Sequence, residues 1–221
     1  MSCWFDIRVK KVHHKVKYLL DVSYTSEREL LALWISDFQI KDGVDKTIKQ
    51  FQETFHSIFW EVYLNKIFLE SKFEIVKGII SPDFLLLDGN KKIFVEAVVS
   101  NIAEAEPKES DRTIDDIYGE NDYYEILDES IIRLYNTFCN KQERFKNHYS
   151  KNNDILSSPF LLAIGDYGQI NYGQSYYYPM LALLYGAYYD KDEKREDLKI
   201  LCEDSFNKEY KFISTHMKKN G

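Results

Sequence analysis

In the stretch SPDFLLLDGNKKIFVEAVVS, residues 81–100, two acids, Asp83 and Glu96, interrupt runs that otherwise want to be buried. FLLL and KIFVEAVV are short, apolar and partly β-branched, and Asp88-Gly89-Asn90 between them is turn chemistry, which predicts a β-hairpin. With Gly89-Asn90 as a two-residue loop, Asp88 pairs with Lys91, Leu87 with Lys92, Leu85 with Phe94, and Asp83 with Glu96. Direct cross-strand neighbours have Cβ atoms roughly 5 Å apart, and like charges so placed are destabilising. A hard divalent cation such as Mg²⁺ suits the gap, because it takes carboxylate oxygens and keeps several waters. The competing reading is a longer turn that shifts the register and leaves one acid at a solvated strand end.

Other elements must hold such a hairpin in place. Residues 5–22 alternate loosely and read as a strand or an irregular element. SYTSERELLALWISDFQ reads as a helix, with Ser26 and Glu29 at capping-box spacing, and Asp42-Gly43 breaks it. A second, unusually apolar helix is expected from about Asp45 to Leu69. FEIVKGII, PDFLLL and KKIFVEAVV follow as strands. An acidic, Pro-containing loop is expected over roughly 101–122, then a helix from about Tyr123 to Tyr149 with Ile131, Leu134, Phe138, Phe145 and Tyr149 at near-helical spacing. SPFLLAIGDY reads as a strand, YYYPMLALLYGAYY as a strand-to-helix segment or buried helix, and the charged tail from Asp190 as helical. The expected class is α/β, a mixed sheet flanked by helices.

Composition agrees with a single folded domain over 1–221: a core of about 45–189, an N-terminal extension over 1–44 and a charged tail over 190–221. With 44% hydrophobic and 15% aromatic residues in 221, the chain is not of the disordered type. No apolar run approaches the length of a membrane span, and MSCWFDIRVKK lacks the hydrophobic stretch of a signal peptide. Three widely spaced cysteines, Cys3, Cys139 and Cys202, suggest reduced thiols, hence a cytoplasmic setting. They do not combine with the five histidines into zinc spacing, and His13-His14 reads as a polar surface pair. The net charge of −7 does not advertise nucleic-acid binding, but its distribution is uneven. Residues 103–130 hold eleven acids against Lys108 and Arg112, whereas Arg133, Lys141, Arg144, Lys146 and Lys151 face Glu143 alone over 133–151. A locally basic helix is compatible with phosphate contact.

A helix bearing an acid, then Pro-Asp, then Glu about a dozen residues on, in that element order, resembles the PD-(D/E)XK nuclease superfamily with its restriction-endonuclease-like αβββαβ core. The resemblance covers roughly residues 50–170 and rests on FQETFHSIFWEVYL, SPDFLLL and VEAVVSN. It implies that Asp83 and Glu96 bind the metal and that Glu61, the first-helix acid, joins them directly or through water. Glu61 is unusual in its own right, since it lies amid Ile58, Phe59, Trp60, Val62 and Leu64 and needs a partner there. Thr54, Ser57, Glu61 and Asn65 form a narrow polar stripe at helical spacing.

Family enzymes carry Lys two residues after the Glu to orient and help deprotonate the attacking water; here that position is Val98. Lys91 and Lys92 stand at the far end of the hairpin, more than about 10 Å away. A substitute is expected from the following helix, where Arg133, Thr137, Lys141 and Arg144 share a face. Lys141 is the first choice, with Gln142 and Arg133 behind it, and Arg133, Arg144 and Lys146 are the expected nucleic-acid contacts. The resemblance implies a Mg²⁺-dependent endonuclease, Mn²⁺ substituting, that cuts DNA in restriction or phage defence, with no membrane partner and as a homodimer where both strands are cut. The rival is an inactive module of the same fold that binds DNA or a protein.

Overall fold

The computed structural model describes residues 2–79, 81–102, 111, 123–168, 177–185, 187–188 and 199–200. The acidic loop expected over 101–122 lies outside them apart from 101, 102 and 111. So does the tail from Asp190 apart from 199–200, and so do residues 172–176 of the Tyr-rich segment. In chain order the elements are α1 (His14–Leu20), α2 (Thr25–Ser36), α3 (Val44–Thr54), α4 (His56–Glu70), β1 (Glu74–Ile75), β2 (Phe84–Asp88), β3 (Lys91–Ser100), α5 (Tyr123–Asn147), α6 (Asn153–Leu156), β4 (Phe160–Asp166), α7 (Tyr178–Tyr185), β5 (Ala187–Tyr188) and β6 (Lys199–Ile200). The chain is α/β. It divides into two compact units, residues 1–99 with 144–165, and residues 100–143 with 166–221.

The main sheet has the order β1-β2-β3-β4. β1 with β2 and β2 with β3 are antiparallel. Along β3 and β4 the bonds Phe94 N–H to Pro159 O and Tyr167 N–H to Ser100 O climb together, so this pair is parallel and the sheet is mixed. The hairpin register is the one its turn residues predict: Asp88 faces Lys91, Leu87 faces Lys92, and Leu85 faces Phe94. Gly89 has φ +59°, at the first of two turn positions, where glycine costs least. The strand expected in FEIVKGII shrinks to Glu74–Ile75, although Val76 N–H still donates to Leu85 O.

Alternation sorts the two faces of the hairpin. Phe84, Leu86 and Val95 pack with Leu64, and with Trp60 and Phe68 of α4. Leu85 and Phe94 turn the other way, onto Tyr149 and Ile155. Trp60 Nε1 donates to Ala163 O at 3.0 Å, which pins α4 to β4.

Four sequence expectations fail in the helical part. The continuous helix from Asp45 breaks at Phe55, whose φ of 36° and ψ of −66° end α3 and begin α4. The conformation is strained for a non-glycine residue. It is offset by burial of the ring, 7% exposed, stacked on Phe59 with centroids 5.2 Å apart and on His13 at 5.7 Å. The polar stripe therefore loses Thr54, which belongs to the preceding helix. The Ser26 capping box does not form, because α2 begins at Thr25 and its N-cap, Tyr24, makes no side-chain cap bond. Within 5–22, residues 14–20 are helical rather than a strand or an irregular element. His13 and His14 are not a surface pair: both are half-buried, and the His13 ring lies 4.4 Å from that of His14 and 5.1 Å from that of His56. Around them Trp4, Val16, Leu31, Ile48, Phe51, Phe55, Ile58 and Val62 form the helical core. Gln52, fully buried, ties in the N-terminal segment by donating to Trp4 O and Asp6 O and accepting from Arg8 N–H.

In the second unit Leu127 and Ile131 of α5 pack with Ala182 and Tyr178 of α7. No described helix is long and apolar enough to cross a membrane.

Candidate acidic site

Asp83 immediately precedes β2, whose register with β3 runs from Asp88 opposite Lys91 to Phe84 opposite Val95. Its carboxylate closes the open end of the hairpin: Oδ2 accepts from Ala97 N–H at 2.7 Å. A backbone amide stands where the strict cross-strand reading put Glu96 alone. Lys41 comes to the same residue from the segment between α2 and α3. Its ammonium is 3.7 Å from Asp83 Oδ1, donates to Asp83 O, and lies 4.9 Å over the Phe84 ring. The segment is held on both sides of Lys41. Asn65 of α4, 1% exposed, donates to Asp37 O, and Phe38 and Ile40 pack on the helical core.

Glu96 is 3% exposed and shares the face of Phe94, the face that meets Tyr149. Buried carboxylates need partners, and two are supplied from the end of α5 and just beyond it. Tyr149 Oη donates to Oε2 at 2.7 Å, and the half-exposed Arg144 places Nη1 3.3 Å from Oε1. Arg144 also donates to Ser81 Oγ at 3.4 Å and lies 5.4 Å over the Tyr149 ring, while Ser81 Oγ and Tyr149 Oη are 2.7 Å apart. Burial, ahead of the adjacent Glu96, pushes the Tyr149 hydroxyl up to about 12, and the Ser81 hydrogen bond opposes this.

Glu61 approaches from α4, which packs on the opposite face. Burial is the main cause that pushes its carboxyl up to about 7. The negative charge of Asp83 adds to this, Lys41 opposes it, and Asp42 and Glu96 raise it further. Asp83 and Glu96 thus both act on Glu61, whose helix packs on the face of the sheet opposite to that of Glu96. Among the described residues no group of three His, Cys, Asp or Glu side chains is gathered to hold a metal ion. Two carboxylates with waters completing the shell are nevertheless what Mg²⁺ accepts from a protein. Asp83 and Glu96 fit that donor chemistry, provided that Arg144 turns away from Glu96.

The other predicted residues fall as follows. Val98 is half-buried on β3. Arg144 and Lys146 end α5 within the first unit, and both are exposed. Arg133 and Lys141 belong to the second unit. Arg133 donates to Gly168 O, and pairs with Glu129 at 3.1 Å; the Gly168 Cα leaves its side chain little room, as a Cβ there would meet Arg133 Cδ at 3.1 Å. Lys141 is half-buried. Sequence reasoning missed Lys41 and Tyr149. Lys41 had no local signal, since its partner is 42 residues on; Tyr149 had one, as the last residue of the apolar stripe, but was assigned to the core alone.

No protein-family model, curated protein or solved structure matches the chain.

Proposed function

We propose that the chain is a divalent-metal-dependent nuclease of the PD-(D/E)XK, restriction-endonuclease-like kind, hydrolysing phosphodiester bonds in DNA. A restriction or phage-defence setting, in the cytoplasm, is the one we favour. The observation that carries this reading is the open end of the β2–β3 hairpin. There Asp83 is fixed by Ala97 N–H, Glu96 is one residue away, and a lysine reaches in from outside the motif.

Asp83 and Glu96 would hold Mg²⁺ or Mn²⁺, which when bound would polarise the phosphate and acidify water. The protein's own groups divide the remaining work. Lys41 takes the place that Val98 leaves vacant: its ammonium beside Asp83 orients a water and opposes negative charge growing on the phosphate. Lys141, the lysine expected from the sequence, stays its competitor for that part. Glu61, whose carboxyl is pushed up to about 7 mainly by burial, serves as the general base that takes a proton from the attacking water. Water oxygen forms the new bond to phosphorus as its proton passes to Glu61, the bond from phosphorus to one ester oxygen breaks, and that oxygen takes up a proton from solvent.

A second reading is supported by the partners of Glu96. With Tyr149 and Arg144 on its two oxygens, the carboxylate is satisfied without an ion, as in a module that binds DNA or a protein and no longer cuts. The deciding experiment is cleavage of plasmid and phage DNA with Mg²⁺ or Mn²⁺ by wild type, Asp83→Ala, Lys41→Met and Lys141→Met. Cutting that is silenced by Asp83→Ala supports the nuclease. DNA binding without cutting, equal with and without Asp83, supports the module.

A further inference from the structure

Beside the acidic site lies a cleft of about 530 Å³ lined by Ser81, Arg144, His148, Tyr149, Asn152 and Ile155. Its floor is Tyr149, 6% exposed, and Ile155, 3% exposed. Its walls carry a guanidinium, an imidazole, a hydroxyl and an amide, all on exposed residues. Such a set of donors around one cation suits a tetrahedral anion, since a planar guanidinium fork matches phosphate oxygens. The cleft is also connected to Glu96, because the same guanidinium that lines it is engaged by Glu96 through Nη1 and by Ser81 through Nη2.

Arg144 therefore has two claims on it. Its side chain is 48% exposed while Glu96 is 3% exposed, so the carboxylate is fixed and the arginine is the partner free to turn. Its guanidinium carbon lies 5.4 Å over the Tyr149 ring, at a point from which the one side chain both meets Glu96 and lines the cleft. A cation arriving at Glu96 removes the attraction that holds Arg144 there; a phosphate in the cleft provides the alternative partner.

We propose that this cleft is a phosphate subsite whose arginine is held in reserve by Glu96, so that a divalent cation at Glu96 and a phosphate in the cleft favour each other's binding. This rests on the nuclease reading and adds to it a coupling between metal and substrate. By linkage the coupling is reciprocal, and couplings between two sites are typically about 5- to 150-fold.

The test measures Mn²⁺ affinity through the ion's own magnetic resonance signal, in the full chain, alone and with a phosphate probe. A thymidine 5′-mononucleotide offers a terminal phosphate and dithymidine monophosphate only a diester, so the probe that couples identifies which phosphate the cleft takes. In wild type, saturating probe is expected to tighten Mn²⁺ about tenfold. In Arg144→Gln, Mn²⁺ alone is expected to bind several-fold tighter, since its competitor is gone, while the coupling falls within about twofold of none. Arg144→Lys keeps the charge without the fork and falls between, which serves if the glutamine variant does not fold. Mn²⁺ binding no tighter in Arg144→Gln, with coupling as in wild type, overturns the proposal and leaves the nuclease reading standing. Mn²⁺ titrations identical in wild type and Asp83→Asn overturn the nuclease reading itself.

Discussion

The Asp83 carboxylate accepts a hydrogen bond from the backbone N–H of Ala97 at 2.7 Å, across the open end of the hairpin that Gly89 closes 6 residues away. One side chain thus fixes the register at the end opposite the turn and stands beside the buried Glu96. The same acid is the anchor of Lys41. Fold and chemistry meet in it, and its substitution should separate them.

Asp83→Asn keeps an oxygen able to accept from Ala97 N–H and loses the charge. It is expected to unfold in urea within about 1 kcal/mol of wild type, whereas Asp83→Ala, which leaves the amide without its acceptor, should lose roughly 1–3 kcal/mol. Both should lose divalent-ion binding. An Asn variant that binds Mn²⁺ as wild type does would mean that Asp83 is a structural acceptor and no ligand.

Glu61 gives the metal-free protein a pH dependence whose sign follows from its raised carboxyl. A folded-state value of about 7 against 4.5 for the free group means that the folded chain holds this proton more tightly. Its contribution to stability is complete below about pH 4.5 and is lost as pH rises through about 7. Between pH 5 and 7.5 the loss is roughly 2 kcal/mol. Thermal midpoints of wild type and Glu61→Gln, taken across that window, should diverge steadily, with the glutamine variant gaining. Parallel curves would show that Glu61 is solvated and uncoupled from Asp83.

How far the sequence carries depends on how local the causes are. The hairpin register was legible residue by residue because Asp88-Gly89-Asn90 and two apolar runs determine it within 5 residues on either side. α5 was legible for the same kind of reason, a periodicity contained in the segment, and β4 as a short apolar run. The break at Phe55 was not, because its backbone conformation is stabilised by rings at His13 and Phe59, and propensity contains no such term. Nor was Lys41: it sits in an unpatterned connection, and only the packing of Phe38 and Ile40 with the Asn65 bond brings it to Asp83. The basic helix was seen, but which of its cations meets a carboxylate was not. In the first unit that residue is Arg144, on Glu96.

Tyr149 is a donor at every ordinary pH, since its hydroxyl is pushed up to about 12, and Glu96 uses it at 2.7 Å. Tyr149→Phe removes one hydrogen-bond partner from a buried carboxylate and one from Ser81 while keeping the ring against Phe160. A loss of about 1–3 kcal/mol is expected in chemical denaturation. The substitution should also ease displacement of Arg144 and so tighten Mn²⁺ modestly; a stability equal to wild type would show that water replaces the hydroxyl.

Lys41 and Lys141 are the two lysines between which the missing motif position has to be decided, and they predict opposite results. Lys41 is attached to Asp83 by an ion pair at 3.7 Å and stacked on Phe84. Its loss should therefore cost about 1 kcal/mol of stability. A residue that orients water or opposes charge in the transition state is worth roughly 10²–10³ in rate. Lys41→Met is accordingly expected to lower kcat for DNA cleavage by about two to three orders of magnitude, with Mn²⁺ affinity unchanged or raised, because a positive charge beside Asp83 is gone. Lys41→Arg should recover part of the rate, and Lys141→Met should change kcat less than about tenfold. Reversal, with Lys141→Met silent and Lys41→Met active, would return the role to α5 and leave Lys41 as the residue that neutralises Asp83 until a metal ion does so.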